Sequence, residues 1–220
     1  MGYTRQAVDG DGNGRHAYLE PYAGGAMAVA EACRNVVCTG ATPVAITDCL
    51  NFGDPTKPEV YYQLQEAIKG MTAACEALGV PVISGNVSLF NESAGEAIYP
   101  TPVVGAVGLL DDASTKLTSG FRDDDDAVLL MGDLGDSLAG RDFLAHVFDQ
   151  VSGQPAIDLS AEAHLQALVA TLAGQRLLHS AHDCADGGLG VALAESAIIG
   201  GMGFMGTLPH HDRWDAALFG

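Results

Sequence analysis

Positive charge is scarce in this sequence: 10 Lys and Arg stand against 28 Asp and Glu over 220 residues, a formal net charge of -18. A nucleic-acid surface needs clustered cations to neutralise phosphates, so that class of partner is excluded. Long apolar runs are missing too. None approaches the roughly 18–20 residues that span a bilayer, and no charged start leads into an apolar stretch of the signal-peptide kind. The expectation is a cytoplasmic protein with no membrane partner. The cysteines are Cys33, Cys38, Cys49, Cys75 and Cys184, an odd number with no CxxC pair, which predicts reduced thiols. Cys49 and Cys184 each follow an Asp, whose charge disfavours the thiolate and argues against a nucleophile. There is no glycine-rich stretch ending in Gly-Lys-Ser or Gly-Lys-Thr, and no GxGxxG after a strand, so neither common phosphate-binding loop is present. An anionic substrate would have to be held locally, by bridging Mg²⁺ or by backbone N–H groups at glycine-rich helix N-termini.

What is present is enough apolar material, 48% of residues, to build real cores. After a Gly- and Asp-rich start, Gly24-Gly25 opens a stretch in which Met27, Ala30, Cys33 and Val37 recur at helical spacing, with Gly40 as its stop. Val44 to Ile46 is short and apolar, as a buried strand is, and delivers Asp48 and Asn51 at its end. The next helix is the best marked. Thr56 and Glu59 form a capping-box pattern, Pro58 suits the first turn, and Val60, Leu64, Ile68, Met71, Cys75 and Leu78 make one stripe that ends at Gly79. Val80 to Ile83 predicts a second buried strand, finishing in a polar loop, Ser84-Gly85-Asn86-Val87-Ser88. Val103 to Leu110 is strand-like, and an abrupt acidic shift then places a domain boundary near residue 112. Beyond it come a strand at Val128 to Met131, a glycine turn from Gly132 to Gly135, a helix through Leu165, Leu168, Val169 and Leu172, and a small-residue helix from Leu189 to Ile199.

Three patterns suggest sites. Asp9, Asp11, Asn13, Gly14 and Glu20 match an EF-hand loop, although Pro21 blocks the helix that should leave it and too few residues precede it for the entering helix. The run Asp123 to Asp126 is a solvated turn rather than a metal cluster, because four consecutive residues cannot all face one ion. Asp48 offers a hard carboxylate, Asn86 a carbonyl oxygen suited to Mg²⁺, Gly85 a close approach for phosphate, and Ser88 a hydroxyl. From spacing alone, the loops carrying those four are ordinary turns.

Longer words change that balance. EPYAGGAMAVAEACRNVVCTGATPVAITDCLNFGDP, SGNVSLFNE, YPTPVVGAVGLL and AHDCADGGLGVALAE occur in order and resemble the large subunit of phosphoribosylformylglycinamidine synthase, from about Gly12 to about Gly220. The related selenophosphate synthetase and thiamine-monophosphate kinase share only the architecture, not these words. The resemblance implies an α+β fold: an aminoimidazole-ribonucleotide-synthetase-like N-terminal domain over residues 1–112, whose sheet pairs into a barrel, then part of the α/β C-terminal domain over 113–220. The chain then corresponds to the start of the second of two such halves and stops before the last strands of its final domain.

The implied activity is conversion of formylglycinamide ribonucleotide to its amidine, driven by ATP with Mg²⁺. Ammonia would come from glutamine through a glutaminase subunit, with a small bridging subunit as a further partner. Carried over by motif position, Asp48 and Gly85 contact ATP, Asn86 binds Mg²⁺, and Ser88 holds the ribonucleotide. The family's catalytic histidines belong to the other half, so none of the seven here takes that role and the isolated chain makes no amidine. His182-Asp183 is then a structural or nucleotide-adjacent turn, and His210-His211 a surface pair. An unpaired sheet edge predicts homodimerisation. A mainly structural nucleotide-binding half, or a calcium module, are the alternatives.

Overall fold

The computed structural model describes residues 5–185, 187–208 and 210–220. Strand β1 (Arg5–Asp11) leads through helices α1 (Gly14–Leu19) and α2 (Pro21–Cys38) to β2 (Thr42–Asn51). Helix α3 (Pro58–Leu78) then crosses to β3 (Val82–Ser88), a small hairpin β4 (Glu92–Ser93) and β5 (Glu96–Ala97) follows, and β6 (Thr101–Leu110) returns through the sheet. The sheet order is β1-β6-β2-β3. β6 runs antiparallel to β1 and β2, and the α3 crossover makes β2 and β3 parallel, as a helical connection permits and a tight hairpin does not.

The pleat decides what each strand buries. Along β6, Pro102, Val104, Ala106, Gly108 and Leu110 are buried and the residues between them more open. The same face carries Ile46 and Leu50 of β2, and against it lies a core shared with α2 and α3, built around Val29, Cys33, Val36, Phe52, Val60, Ala67 and Ala74. This is the period-two rule with one face covered by helices.

Helices α2 and α3 pack closely because glycines meet backbone. A Cβ on Gly25 would overlap the carbonyl of Ala67, and one on Gly70 the carbonyl of Tyr22. Both sit inside helices, where glycine costs about 1 kcal/mol relative to alanine, so close approach is the compensating gain. Helix α2 starts at Pro21, ahead of the Gly24-Gly25 opening, since Pro is suited to the first helical turn. The expected capping box of α3 is absent. Lys57 caps the helix without a side-chain bond, and the Thr56 hydroxyl instead donates to Asp54 at 2.7 Å. Gly79 does end α3, at φ 68° with its N–H on the Cys75 carbonyl, and Gly40 turns the chain after α2 at φ 84°.

Two strand expectations need correction. β3 is an edge strand with Val82 49% and Ile83 66% exposed, because no described element lies along its outer side. Residues 128–131 form no strand. A strand needs a ladder partner to satisfy its N–H and C=O groups, and none of the described residues after Leu110 is in a strand. That part of the chain is helical: α4 (Asp142–Phe148), α5 (Leu159–Gly174), α6 (Gly188–Gly200) and α7 (Trp214–Phe219). Helix α5 packs on α2 and α3. The EF-hand pattern is also dissolved, since Asp9 and Asp11 lie in β1, Asn13 caps α1 and Glu20 caps α2.

Candidate functional site

Asp48, Gly85, Asn86 and Ser88 do lie together, but on strands rather than loops. The β2–β3 register sets Asp48 opposite Gly85, Cys49 opposite Asn86 and Asn51 opposite Ser88. Because successive side chains alternate in direction, these four divide between the two faces. Asp48 shares the helix-side face with Ile46 and Leu50. Asn86 and Ser88 share the opposite face with Ser84, Thr47, Cys49 and Asn51.

Gly85 has a role that spacing could not disclose. A Cβ there would overlap the Asp48 carboxylate, so the missing side chain makes room for that carboxylate across the strand pair. Its backbone is also placed to act. The Ser88 carbonyl accepts from Phe52 N–H at 3.0 Å, and the N–H and C=O of one strand residue point the same way. Odd-numbered Gly85 and Val87 therefore turn theirs outward, to an edge with no partner among the described strands.

On the open face Thr47 Oγ1 and Ser84 Oγ are 2.7 Å apart, a hydroxyl pair across the strands. Ser88 Oγ donates to Asn91 Oδ1 at 3.2 Å, while Asn91 Nδ2 donates to the carbonyls of Ser88 and Phe52. Asn91 thus fixes the chain leaving β3 and the orientation of Ser88. Its place within the word SGNVSLFNE was its only sequence signal.

On the helix side, Asp48 opens onto a cleft of about 430 Å³ between β2 and the second half of α3, walled by Leu50, Ile68, Met71, Val80 and Pro81. Burial pushes the Asp48 carboxyl above its usual range, since the charged form loses hydration there. Among the described residues its carboxylate accepts no hydrogen bond and joins no ion pair.

His182 and Asp183 do not form an isolated catalytic pair. The Asp183 side chain is 6% exposed and meets Arg34 of α2 at 3.4 Å, and the same guanidinium donates to Glu162 of α5 at 2.9 Å. Burial alone would lower the Arg34 pKa, but Glu162 and Asp183 together raise it. Glu162 also accepts from Gln166, whose amide reaches the Ala30 carbonyl at 2.9 Å. Arg34 therefore ties α5 and the 182–185 turn to α2, a buried polar seam that the apolar periodicity of α2 concealed. His182 donates from Nδ1 to the Asp183 carbonyl at 2.8 Å, with Nε2 3.1 Å from Glu195 of α6. The turn is further held by Arg141 on the Ala185 carbonyl; Asp186 of the same word lies outside the described residues.

Burial pushes the thiols of Cys33 and Cys38 to about 12 and raises Cys75 and Cys184 as well, which suits packing rather than nucleophilic chemistry. Asp123 and Asp126 sit by His179, at 3.3 and 2.9 Å from its Nδ1, all well exposed or half-exposed. His210 is exposed and His211 turns onto Arg213.

A four-stranded mixed sheet backed by two closely packed helices, with a helical segment docked through a buried arginine, defines the class. The chain belongs to the AIR synthase related proteins: residues 2–110 match the N-terminal domain of that family and residues 123–209 its C-terminal domain. Within the family it is similar to the phosphoribosylformylglycinamidine synthase subunit PurL. The Moorella thermoacetica protein of that name is 52% identical over 214 residues, covering 97% of this chain and 29% of the relative. The Synechococcus sp. (strain JA-3-3Ab) protein is 50% identical over 213 residues, covering 96% and 28%. The chain thus spans under a third of these relatives. Among solved structures, T. maritima PurL complexed with FGAR superposes with a TM-score of 0.75 at 22% identity, over 90% of this chain and 32% of that one. The HypE-HypF complex gives 0.68 at 18%, over 89% and 62%. Both share its fold.

Proposed function

We propose that this chain is part of a phosphoribosylformylglycinamidine synthase, an ATP-dependent ligase of purine biosynthesis that turns formylglycinamide ribonucleotide into its amidine. The observation that carries the reading is about half identity to PurL proteins along nearly the whole chain, with the four motif residues gathered on two paired strands. In that reaction the amide oxygen takes the γ-phosphoryl group of ATP and ADP leaves. Ammonia then attacks the same carbon, phosphate departs, and the amidine remains. Two units are assigned, residues 1–112 and a partial second unit, 113–220; the end of β6 at Leu110 supports that division.

Asp48 and Gly85 contact ATP, Asn86 holds Mg²⁺ and Ser88 holds the ribonucleotide. The donor set suits magnesium. Asn86 is exposed and shares its face of the sheet with Ser84 and Ser88; its amide oxygen is a neutral hard ligand, and the phosphates supply the negative charge. When bound, the ion neutralises the triphosphate and the charge on the transferred group. The chain's own residues bind and orient: Asn91 holds the Ser88 hydroxyl in place, and Gly85 offers its outward backbone at the edge of β3. No catalytic acid or base is assigned here. The protein acts in the cytoplasm, with ammonia delivered by a glutaminase subunit and a small bridging subunit. The uncovered edge of β3 supports self-association of the chain.

Calorimetric titration of the whole chain tests the reading. ATP should bind only with Mg²⁺, Asn86→Ala should weaken that binding about tenfold or more, and formylglycinamide ribonucleotide supplied with ammonia and ATP should yield no amidine. Absence of nucleotide heat together with tight Ca²⁺ binding would overturn it.

A further inference from the structure

Away from the paired strands, the segment that leaves β6 folds against the end of α5 and frames a cavity of about 400 Å³. Lys116 and Arg122 line it from the segment and Arg176 from the end of α5, so three of the 10 Lys and Arg in the chain meet one cavity. Acids outnumber bases 28 to 10, and elsewhere the cations are matched: Arg15, Arg34, Lys57, Lys69 and Arg213 each reach a carboxylate. Lys116 and Arg122 are exposed and join no ion pair among the described residues. Arg176 reaches Asp112 only at 3.9 Å, with both side chains more than half exposed. It stands at φ 59°, the left-handed position after a helix that usually takes glycine, so a guanidinium is kept where the backbone favours no side chain.

The carboxylates around the cavity are already engaged. Asp112 accepts from Ser114 N–H at 2.8 Å, and Asp123 and Asp126 face His179. The hydrogen bond to Asp126 raises the His179 pKa, so an imidazolium already serves those two acids. Those three side chains are also a conceivable set of metal ligands, but the imidazolium between them and the neighbouring Lys116 and Arg122 repel a cation and favour an anion. Ala173, Leu117 and Leu178 add an apolar wall, which a bare anion would leave to water and a phosphate on a compact organic body would cover.

We propose that this cavity binds a small phosphorylated metabolite, its phosphate held by Lys116, Arg122 and Arg176 and its organic body lying against Leu117 and Leu178. Arginine suits the phosphate because its planar fork matches two oxygens at once, and the volume of about 400 Å³ falls within the range of small-molecule sites. A ligand there joins the segment after β6 to the end of α5. The site shares no residue with Asp48, Gly85, Asn86 and Ser88 and stands whether or not those bind nucleotide.

The test titrates the whole chain by calorimetry with ribose 5-phosphate, inorganic phosphate and ribose. Ribose 5-phosphate should bind, inorganic phosphate more weakly and ribose not at all, and added KCl should weaken both phosphate-bearing probes by screening. Lys116→Gln and Arg122→Gln, at exposed positions with no ion pair to lose, should each weaken ribose 5-phosphate about tenfold. Arg213→Gln, which removes a cation outside the cavity, should change nothing. Far-ultraviolet circular dichroism confirms folding of each variant. Unchanged affinity in the Lys116→Gln/Arg122→Gln double variant, equal binding of ribose and ribose 5-phosphate, or no binding of ribose 5-phosphate to the wild type overturns the proposal. Inorganic phosphate that binds as tightly as ribose 5-phosphate overturns the place given to an organic body. Zn²⁺ binding that is lost in His179→Gln, without phosphate binding, assigns the place to a cation instead. ATP with Mg²⁺ should bind the double variant as it binds the wild type; an equal loss of ATP and ribose 5-phosphate would put both in one site and overturn the separate one.

Discussion

Replacing Arg34 by Met would remove the guanidinium that joins two nearly buried carboxylates. Glu162 is 11% and Asp183 6% exposed at the side chain, and Arg34 reaches both, at 2.9 and 3.4 Å. Breaking a buried ion pair by deleting one partner costs about 3–5 kcal/mol, because the remaining charge is uncompensated. The guanidinium is itself 20% exposed, so water can enter the gap and the lower end, about 3 kcal/mol, applies. Against a total stability of about 5–15 kcal/mol, that is a large fraction. At a urea slope of about 2–3 kcal/mol per molar, the midpoint should fall by about 1–1.5 M. Native-state hydrogen exchange should show the loss first around residues 160–185, since Arg34 ties both α5 and the turn to α2. Arg34→Lys keeps the charge but cannot span both carboxylates, so it should recover only part of the loss. Adding Glu162→Gln and Asp183→Asn to Arg34→Met should restore most of it, because no unpaired charge is then left. A loss under about 1 kcal/mol would refute the role given to the seam.

Gly70→Ala places a Cβ on the Tyr22 carbonyl; overpacking should outweigh the better helix propensity and cost about 2 kcal/mol net, a fall in Tm of about 4–8 °C by calorimetry. The His182 pKa is raised, first by the Asp183 carboxylate and then by its carbonyl and Glu195, with burial opposing. A folded pKa above the unfolded value means stabilisation that is complete below about 6.5 and lost as pH rises through the higher folded value. The stability difference between wild type and His182→Gln should therefore be larger at pH 5.5 than at pH 8.5 in urea titrations; a difference that grows with pH would contradict the His182 geometry.

Helix α3, its stop at Gly79, strand β6 and helix α6 were legible because each rests on local pattern: an apolar stripe, a left-handed glycine, a run of β-branched and small residues. The misreadings fall where local chemistry had a competing outlet. Thr56 could cap α3 or turn toward Asp54, and it turns. Ser84-Gly85-Asn86 has turn composition, yet pairing with β2 holds it extended. Val82 and Ile83 look like core, but they lie on an edge that nothing described covers. Residues 128–131 have strand composition and no strand to join.

By itself the sequence disclosed the family, the elements α3, β6 and α6, and four candidate residues, because periodicity, glycine placement and long specific words are properties of the chain alone. Tertiary structure decided the rest. Strand register put Asp48 beside Gly85, the pleat sent Asp48 and Asn86 to opposite faces, and Arg34 acquired two buried partners from residues 128 and 149 positions away. None of those relations exists until distant segments pair, since alternation along a strand fixes which residues share a face but only the neighbouring strands and helices fix what each face meets.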